Sequence, residues 1–202
     1  MKNKKLYIVL FILGLIFITN TILVLSGLTT GFDNAIYNLV RSLECEFFDK
    51  YFVFITKFGN VSVVIGIVSL LILLFRNRNG IILTILGVIS AVTNKTLKHI
   101  IQRPRPDVLR LIKQGGYSYP SGHSMISVAI YGYLLYLAFT KIKNRILKWL
   151  CSIILFIFIL SIGVSRIYVG VHYASDVLGG FTLALFELIL IINLAKKRFR
   201  GN

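Results

Sequence analysis

Acidic side chains are scarce in this chain. Its 202 residues include 7 Asp and Glu against 23 Lys and Arg, a formal net charge of +16. A two-metal hydrolytic centre needs several carboxylates in one place. Only Asp107 and Asp176 lie near the other candidate residues described below, so no metal site and no cofactor are expected. Histidine is limited to His99, His123 and His172. His99 sits in a different position from the other two and reads as an interfacial residue, which argues against a three-histidine zinc site. Two cysteines, Cys45 and Cys151, without a CxxC pair exclude a disulfide framework. Cys45 is expected on an outer connecting segment and Cys151 in a membrane helix. Charged residues make up 15% of the chain, where soluble domains carry about 25%. That excludes an ordinary soluble domain.

Apolar residues are abundant instead, at 56%. They fall in runs at about 6–28, 53–75, 80–97, 121–140, 147–164 and 172–195. A span needs about 20 predominantly apolar residues. The first run follows MKNKK, but it is too long for the core of a cleaved signal and has no small-residue cleavage site before Gly31. It reads as a retained helix. The stretch 32–52 mixes Asp33, Arg41, Glu44, Glu46, Asp49 and Lys50 with apolar residues, as a helix lying on the membrane surface would. The expected fold is all-α: a six-span transmembrane helical bundle with an amphipathic interfacial segment after the first span, forming one integral-membrane domain over 1–202. The basic residues lie between apolar runs rather than on a soluble face, so their partner is the lipid bilayer and not nucleic acid.

Positive charge also orients the bundle. With both termini cytoplasmic, the inner segments hold Lys2, Lys4, Lys5, Arg76, Arg78, Lys141, Lys143, Arg145, Lys148, Lys196, Lys197, Arg198 and Arg200. This is just over half of the Lys and Arg, as the positive-inside rule requires.

Three clusters then share the outer side: KHIIQRPRP (98–106), YPSGHS (119–124) and SRIYVGVHYASD (165–176). His172 and Asp176 are four apart and share a face on a helix. A carboxylate there fixes the imidazole tautomer and frees the other nitrogen as base or nucleophile. Pro120 and Ser121–Gly122–His123 precede an apolar run, so they open a helix whose free N–H groups can bind an anion. Lys98, Arg105 and Arg166 add three cations, and the planar arginine fork matches phosphate oxygens. Arg103, Arg110 and Lys113 read as headgroup contacts. Clustered cations and N–H donors stabilise the charge on a transferring phosphoryl group, and two histidines can divide the roles of nucleophile and acid–base. The prolines Pro104 and Pro106 break regular helix in the connection 98–120.

Lys98–x6–Arg105–Pro106, then Pro120–Ser121–Gly122–His123, then Ser165–Arg166–x5–His172–x3–Asp176 resembles the type 2 phosphatidic acid phosphatase superfamily. The motifs cover 98–176, and the six-helix pattern extends the resemblance over nearly the whole chain. The resemblance implies that His172 attacks phosphorus to form a phosphohistidine and that Asp176 orients it. It implies that His123 protonates the leaving oxygen and then activates water. Lys98, Arg105, Arg166, Ser121 and Gly122 would hold the phosphate, with Pro106, Pro120 and Ser165 as supporting positions. The implied substrate is a membrane lipid phosphate or pyrophosphate, such as undecaprenyl pyrophosphate or phosphatidylglycerophosphate, hydrolysed at the extracytoplasmic face without metal. The alternative is an anionic-lipid binder or transporter that does not hydrolyse. Oligomeric state is not written in the sequence.

Overall fold

The structure is a computed structural model and describes residues 2–75 and 78–198. Arg76 and Arg200, both counted in the charge orientation above, lie outside the described residues. The elements are α1 (Lys2–Leu25), α2 (Thr30–Arg41), α3 (Glu46–Ile55), a 3-10 turn (Thr56–Gly59), α4 (Val61–Phe75), α5 (Arg78–Ile101), α6 (Gly122–Lys141), α7 (Arg145–Tyr168) and α8 (Ala174–Arg198). No strand occurs among the described residues.

Among the described residues, five helices are long and apolar enough to cross a membrane: α1, α5, α6, α7 and α8. A sixth span forms if Glu46–Gly59 and Val61–Leu73 count together, although they bend by 59° at Asn60. The sequence reading placed one continuous helix at 53–75. The backbone instead leaves the helix at Asn60, with ψ at 139°, and restarts at Val61. Gly59 and Asn60 both favour such a break. The segment 32–52 resolves into two helices, α2 and α3, joined at Ser42–Cys45.

α6 is the central helix. It packs on α5, α7 and α8, and α1 closes against α8. Met125, Ile130 and Tyr133 of α6 are fully buried with Leu83, Leu86 and Ile162. The outward faces carry exposed apolar side chains such as Phe11, Ile22, Ile65, Val92, Ile153 and Phe156. In a soluble protein this would be a liability; in a bilayer it is the favoured arrangement. The chain is therefore a multi-pass membrane protein.

Helix ends position the site. Ser121 caps α6, its Oγ accepting from Ser124 N–H at 3.4 Å. Gln102 stops α5 with φ at +50°, a left-handed residue of the kind that ends many helices. The prolines at 104 and 106 prevent any restart. Gly170 ends α7 at φ +74°, and a Cβ there would collide with the Leu109 carbonyl oxygen. Both features demand glycine. Gly170→Ala should therefore lose about 1–2 kcal/mol from the backbone alone, with the collision adding to it. A lowered midpoint in thermal unfolding of the detergent-solubilised protein checks this; an unchanged midpoint refutes it.

Candidate active site

Three segments distant in sequence meet at one end of the bundle. The turn Val169–Tyr173 holds His172 just before α8, not within a helix as the sequence reading supposed. Its backbone is tied down, since Val171 N–H and His172 N–H both donate to the Arg166 carbonyl at 3.2 and 3.1 Å. Asp176 sits in the first turn of α8. The four-residue spacing still brings the pair together, with His172 Nδ1 3.2 Å from Asp176 Oδ2. Tyr173 N–H donates to the same oxygen at 2.9 Å, and so does the Ser118 hydroxyl, which also lies 3.3 Å from His172 Nδ1. A carboxylate oxygen only accepts, so Nδ1 carries the proton and Nε2 has the lone pair. Nε2 lies 3.2 Å from Arg105 Nη1.

Burial pushes the His172 imidazole down from 6.5 to about 3; nearby Arg166 and Lys98 add to this, and Asp176 opposes it. The residue is 3% exposed. His172 is therefore neutral at neutral pH, the form that can attack an electrophile.

A cavity of about 240 Å³ lies in front of His172, with Asn94, Lys98, Arg105, Gln114, Gly122 and His123 in its walls. Arg105 is braced by backbone: Nη1 donates to Val171 O at 2.7 Å, Nη2 to Gly115 O at 2.9 Å and Nε to Gly116 O at 3.0 Å. Burial lowers its proton affinity, as does Arg110, while Asp176 works against them. Lys98 donates to the carbonyls of Tyr117 and Ser118. Arg166 is completely buried, with Nη1 donating to Thr56 Oγ1 at 2.6 Å and Nη2 to Gln114 Oε1 at 3.1 Å. Its Nε has no hydrogen-bond partner. Among the described residues, no carboxylate lies within ion-pair distance of Lys98, Arg105 or Arg166. Lys98 and Arg105 in the wall, with Arg166 buried outside it against the wall residue Gln114, leave uncancelled positive charge beside the N-terminus of α6, an arrangement that suits an anion.

Not every expected residue reaches the cavity. Gly122 is in its wall, where a Cβ would come 2.9 Å from Asn94 Oδ1. Ser121 is fully buried, and its hydroxyl is engaged with Ser124 in the helix cap. Ser165 is also fully buried and donates to Ile162 O within α7. Pro106 and Pro120 shape the backbone; Pro120 O accepts from Asn94 Nδ2 at 2.9 Å, across a cis Tyr119–Pro120 peptide. His99 remains exposed, edge-on to Tyr117.

Two parts of the site were missed in the sequence. The break between α3 and α4 supplies the first. Gly59 lies so close to His123 that a Cβ would stand 2.5 Å from the ring, and Asn60 Oδ1 is 2.8 Å from His123 Nε2. Thr56 of the same turn holds Arg166. A Gly–Asn pair inside an apolar run was the available signal. The second is Arg103, read as a headgroup contact. It turns inward and pairs with Asp176 at 2.7 Å and with Asp33 at 2.8 Å. Two buried carboxylates outcompete the headgroup region for its guanidinium. Asp33, read as part of an interfacial segment, is 2% exposed.

The sequence and the fold match known proteins. Residues 78–200 match the family model described as the PAP2 superfamily. The chain belongs to the PAP2 superfamily. It is 33% identical to phosphatidylglycerophosphatase B of Bacillus subtilis (strain 168), over 62% of this chain and 63% of that protein, a little under two thirds of the relative. It is 30% identical to an undecaprenyl-diphosphatase of Sulfolobus acidocaldarius over 95% of this chain and 92% of that protein. A crystal structure described as the first transmembrane PAP2 type phosphatidylglycerolphosphate phosphatase from Bacillus subtilis is similar with a TM-score of 0.85. It covers 96% of this chain and 98% of that chain, at 26% identity. The all-α membrane bundle is thus a fold of this family.

The state of His172 is open to measurement. Its ¹⁵N imidazole shifts should remain those of the neutral ring as pH falls from 8 to 5. The unfolded chain binds this proton near 6.5 and the folded chain only near 3. Stability is therefore fully present above 6.5 and lost as pH falls through that window. A midpoint near 6.5 for His172 in the folded protein would refute the buried neutral pair.

Proposed function

We propose that this PAP2 protein hydrolyses the phosphate or diphosphate ester of a membrane lipid, without a metal ion, through a phosphohistidine intermediate. One observation carries the lipid part of the reading. The polar cavity adjoins an apolar groove of about 380 Å³ along α4 and α5, and Val61, Ala91 and Ile126 belong to both walls. A molecule with a charged head and a long apolar tail fits the pair; a small soluble ester uses only the first.

The chemistry follows from the side chains. Lys98, Arg105, the free Nε of Arg166 and the first N–H groups of α6 hold the phosphoryl oxygens. They gain strength as charge builds on those oxygens in the transition state. His172 Nε2 attacks phosphorus, and Asp176 stabilises the positive charge that develops on the ring. The bond to the leaving oxygen breaks as His123, protonated once the substrate's negative charge occupies the cavity, donates a proton. His123 then takes a proton from water, and that water attacks the phosphohistidine. Phosphate leaves and His172 is regenerated neutral. Asn60 and Gly59 fix the His123 ring for this exchange. The names of the relatives support undecaprenyl pyrophosphate and phosphatidylglycerophosphate as the leading substrates.

The positive-inside distribution supports cytoplasmic termini and an extracytoplasmic site. Single cysteines introduced near residue 115 should react with an impermeant maleimide in intact cells, and those near residue 144 should not. The opposite pattern overturns this orientation.

The reaction is tested by phosphate release in the presence of EDTA from undecaprenyl pyrophosphate, phosphatidylglycerophosphate, phosphatidic acid and a soluble monoester. The wild type should release phosphate from the lipids, and His172→Ala should release none. Arg105→Lys keeps the charge and loses the fork, and should lower the rate by roughly 10- to 100-fold. Lipid binding without phosphate release by the folded wild type would establish a binder or transporter instead.

A further inference from the structure

Arg103 contributes nothing to the cavity wall, yet it pairs with two buried carboxylates at once. Its Nη1 donates to Asp176 Oδ1 at 2.7 Å and to Ser175 Oγ at 2.8 Å. Its Nη2 donates to Asp33 Oδ2 at 2.8 Å and to Thr29 Oγ1 at 3.2 Å. The guanidinium plane rests on the Tyr173 ring, 4.0 Å from its centroid. Asp33 is satisfied from the other side as well, accepting from Ser175 N–H and Ser175 Oγ–H, both at 2.8 Å. The chain Asp33–Arg103–Asp176–His172 therefore runs unbroken from α2 to the imidazole.

The two oxygens of Asp176 have separate partners. Among the described residues, Oδ1 accepts only from Arg103, whereas Oδ2 accepts from His172, Ser118 and Tyr173 N–H. The terminal torsion of an aspartate is broad and nearly two-fold. Rotamer preference by itself leaves Oδ2 free to swing away from the imidazole. A charge-assisted bond to Oδ1 removes that freedom. Arg103 in turn would leave Asp176 for water if nothing held its other nitrogen, and Asp33 supplies that hold. The pairing is strong enough to raise the proton affinity of Arg103. Burial opposes this, and the two carboxylates outweigh it.

We infer that Arg103 and Asp33 are positioning residues for His172: Arg103 clamps one oxygen of Asp176 so that the other stays on the imidazole, and Asp33 on α2 anchors the clamp. The inference rests on the reading of His172 as nucleophile. It gives α2, which lies outside the three sequence motifs, a part in the reaction.

The test uses Arg103→Gln and Asp33→Asn in the full-length, detergent-solubilised protein. The first readout is the ¹⁵N-edited proton resonance of His172 Nδ1–H, which reports its bond to Asp176 and needs no turnover. In the wild type this proton should appear far downfield. In Arg103→Gln it should move upfield or be lost to exchange. The second readout is steady-state kinetics on phosphatidylglycerophosphate. Arg103→Gln should lower kcat by roughly 10- to 100-fold, the range for lost orienting partners, with KM within about twofold because Arg103 does not line the cavity. Asp33→Asn, the milder change, should shift both readouts in the same direction by less, and it stands in if Arg103→Gln does not fold.

A wild-type Nδ1–H resonance and wild-type kcat in folded variants, with only a lowered unfolding midpoint, would reduce the cluster to a structural tether and overturn the inference. If the wild type releases no phosphate from any lipid, the catalytic reading fails, while the resonance still reports whether the clamp exists. The two failures are therefore distinguishable.

Discussion

The carboxylate of Asp176 is completely buried at the end of a membrane bundle, and the surrounding structure is organised by the need to keep it paired. An unpaired buried charge is too costly to persist, so each of its lone pairs must meet a donor. The donors come from two places, Arg103 and Ser118 in the long connection and His172 and Tyr173 in the turn before α8, and Arg103 donates in turn to Asp33 on α2. Satisfying one carboxylate thus pins together α2, the 102–121 connection and the α7–α8 turn. The orientation of His172 is a consequence of that pinning.

The opposite problem stands on the other side of the imidazole. Among the described residues, Lys98, Arg105 and Arg166 have no carboxylate within ion-pair distance. Backbone carbonyls, Thr56 and Gln114 hold them instead. Neutral acceptors fix the geometry and leave the net charge uncancelled. That combination favours a phosphoryl group, which brings the missing negative charge and increases it during transfer. A carboxylate in the same place would stabilise the free protein and compete with the substrate.

The bend at Asn60 serves both halves of the proposed substrate site. On the cavity side it delivers Thr56, Gly59 and Asn60 to Arg166 and His123. On the lipid side it starts α4 at Val61, the first residue of the apolar groove.

Much of this was legible from residue order. Long apolar runs must be helices in a bilayer, since no other open backbone satisfies its own N–H and C=O groups there. The bundle, its approximate spans and the convergence of His123, His172, Lys98 and Arg105 followed from that and from three motifs with fixed spacing. What the sequence left undecided were pairings over long separations. Asp33 and Arg103 are 70 residues apart and each looks interfacial when read locally. Ser121 looks like a ligand, but its hydroxyl is engaged with Ser124 in the helix cap. The break at Gly59–Asn60 is hidden inside a hydrophobic run. Periodicity and spacing constrain residues a few positions apart. Which buried charge meets which partner is settled only when helices pack, because desolvation makes an unpaired polar group costly and the packed geometry decides which donor is in reach.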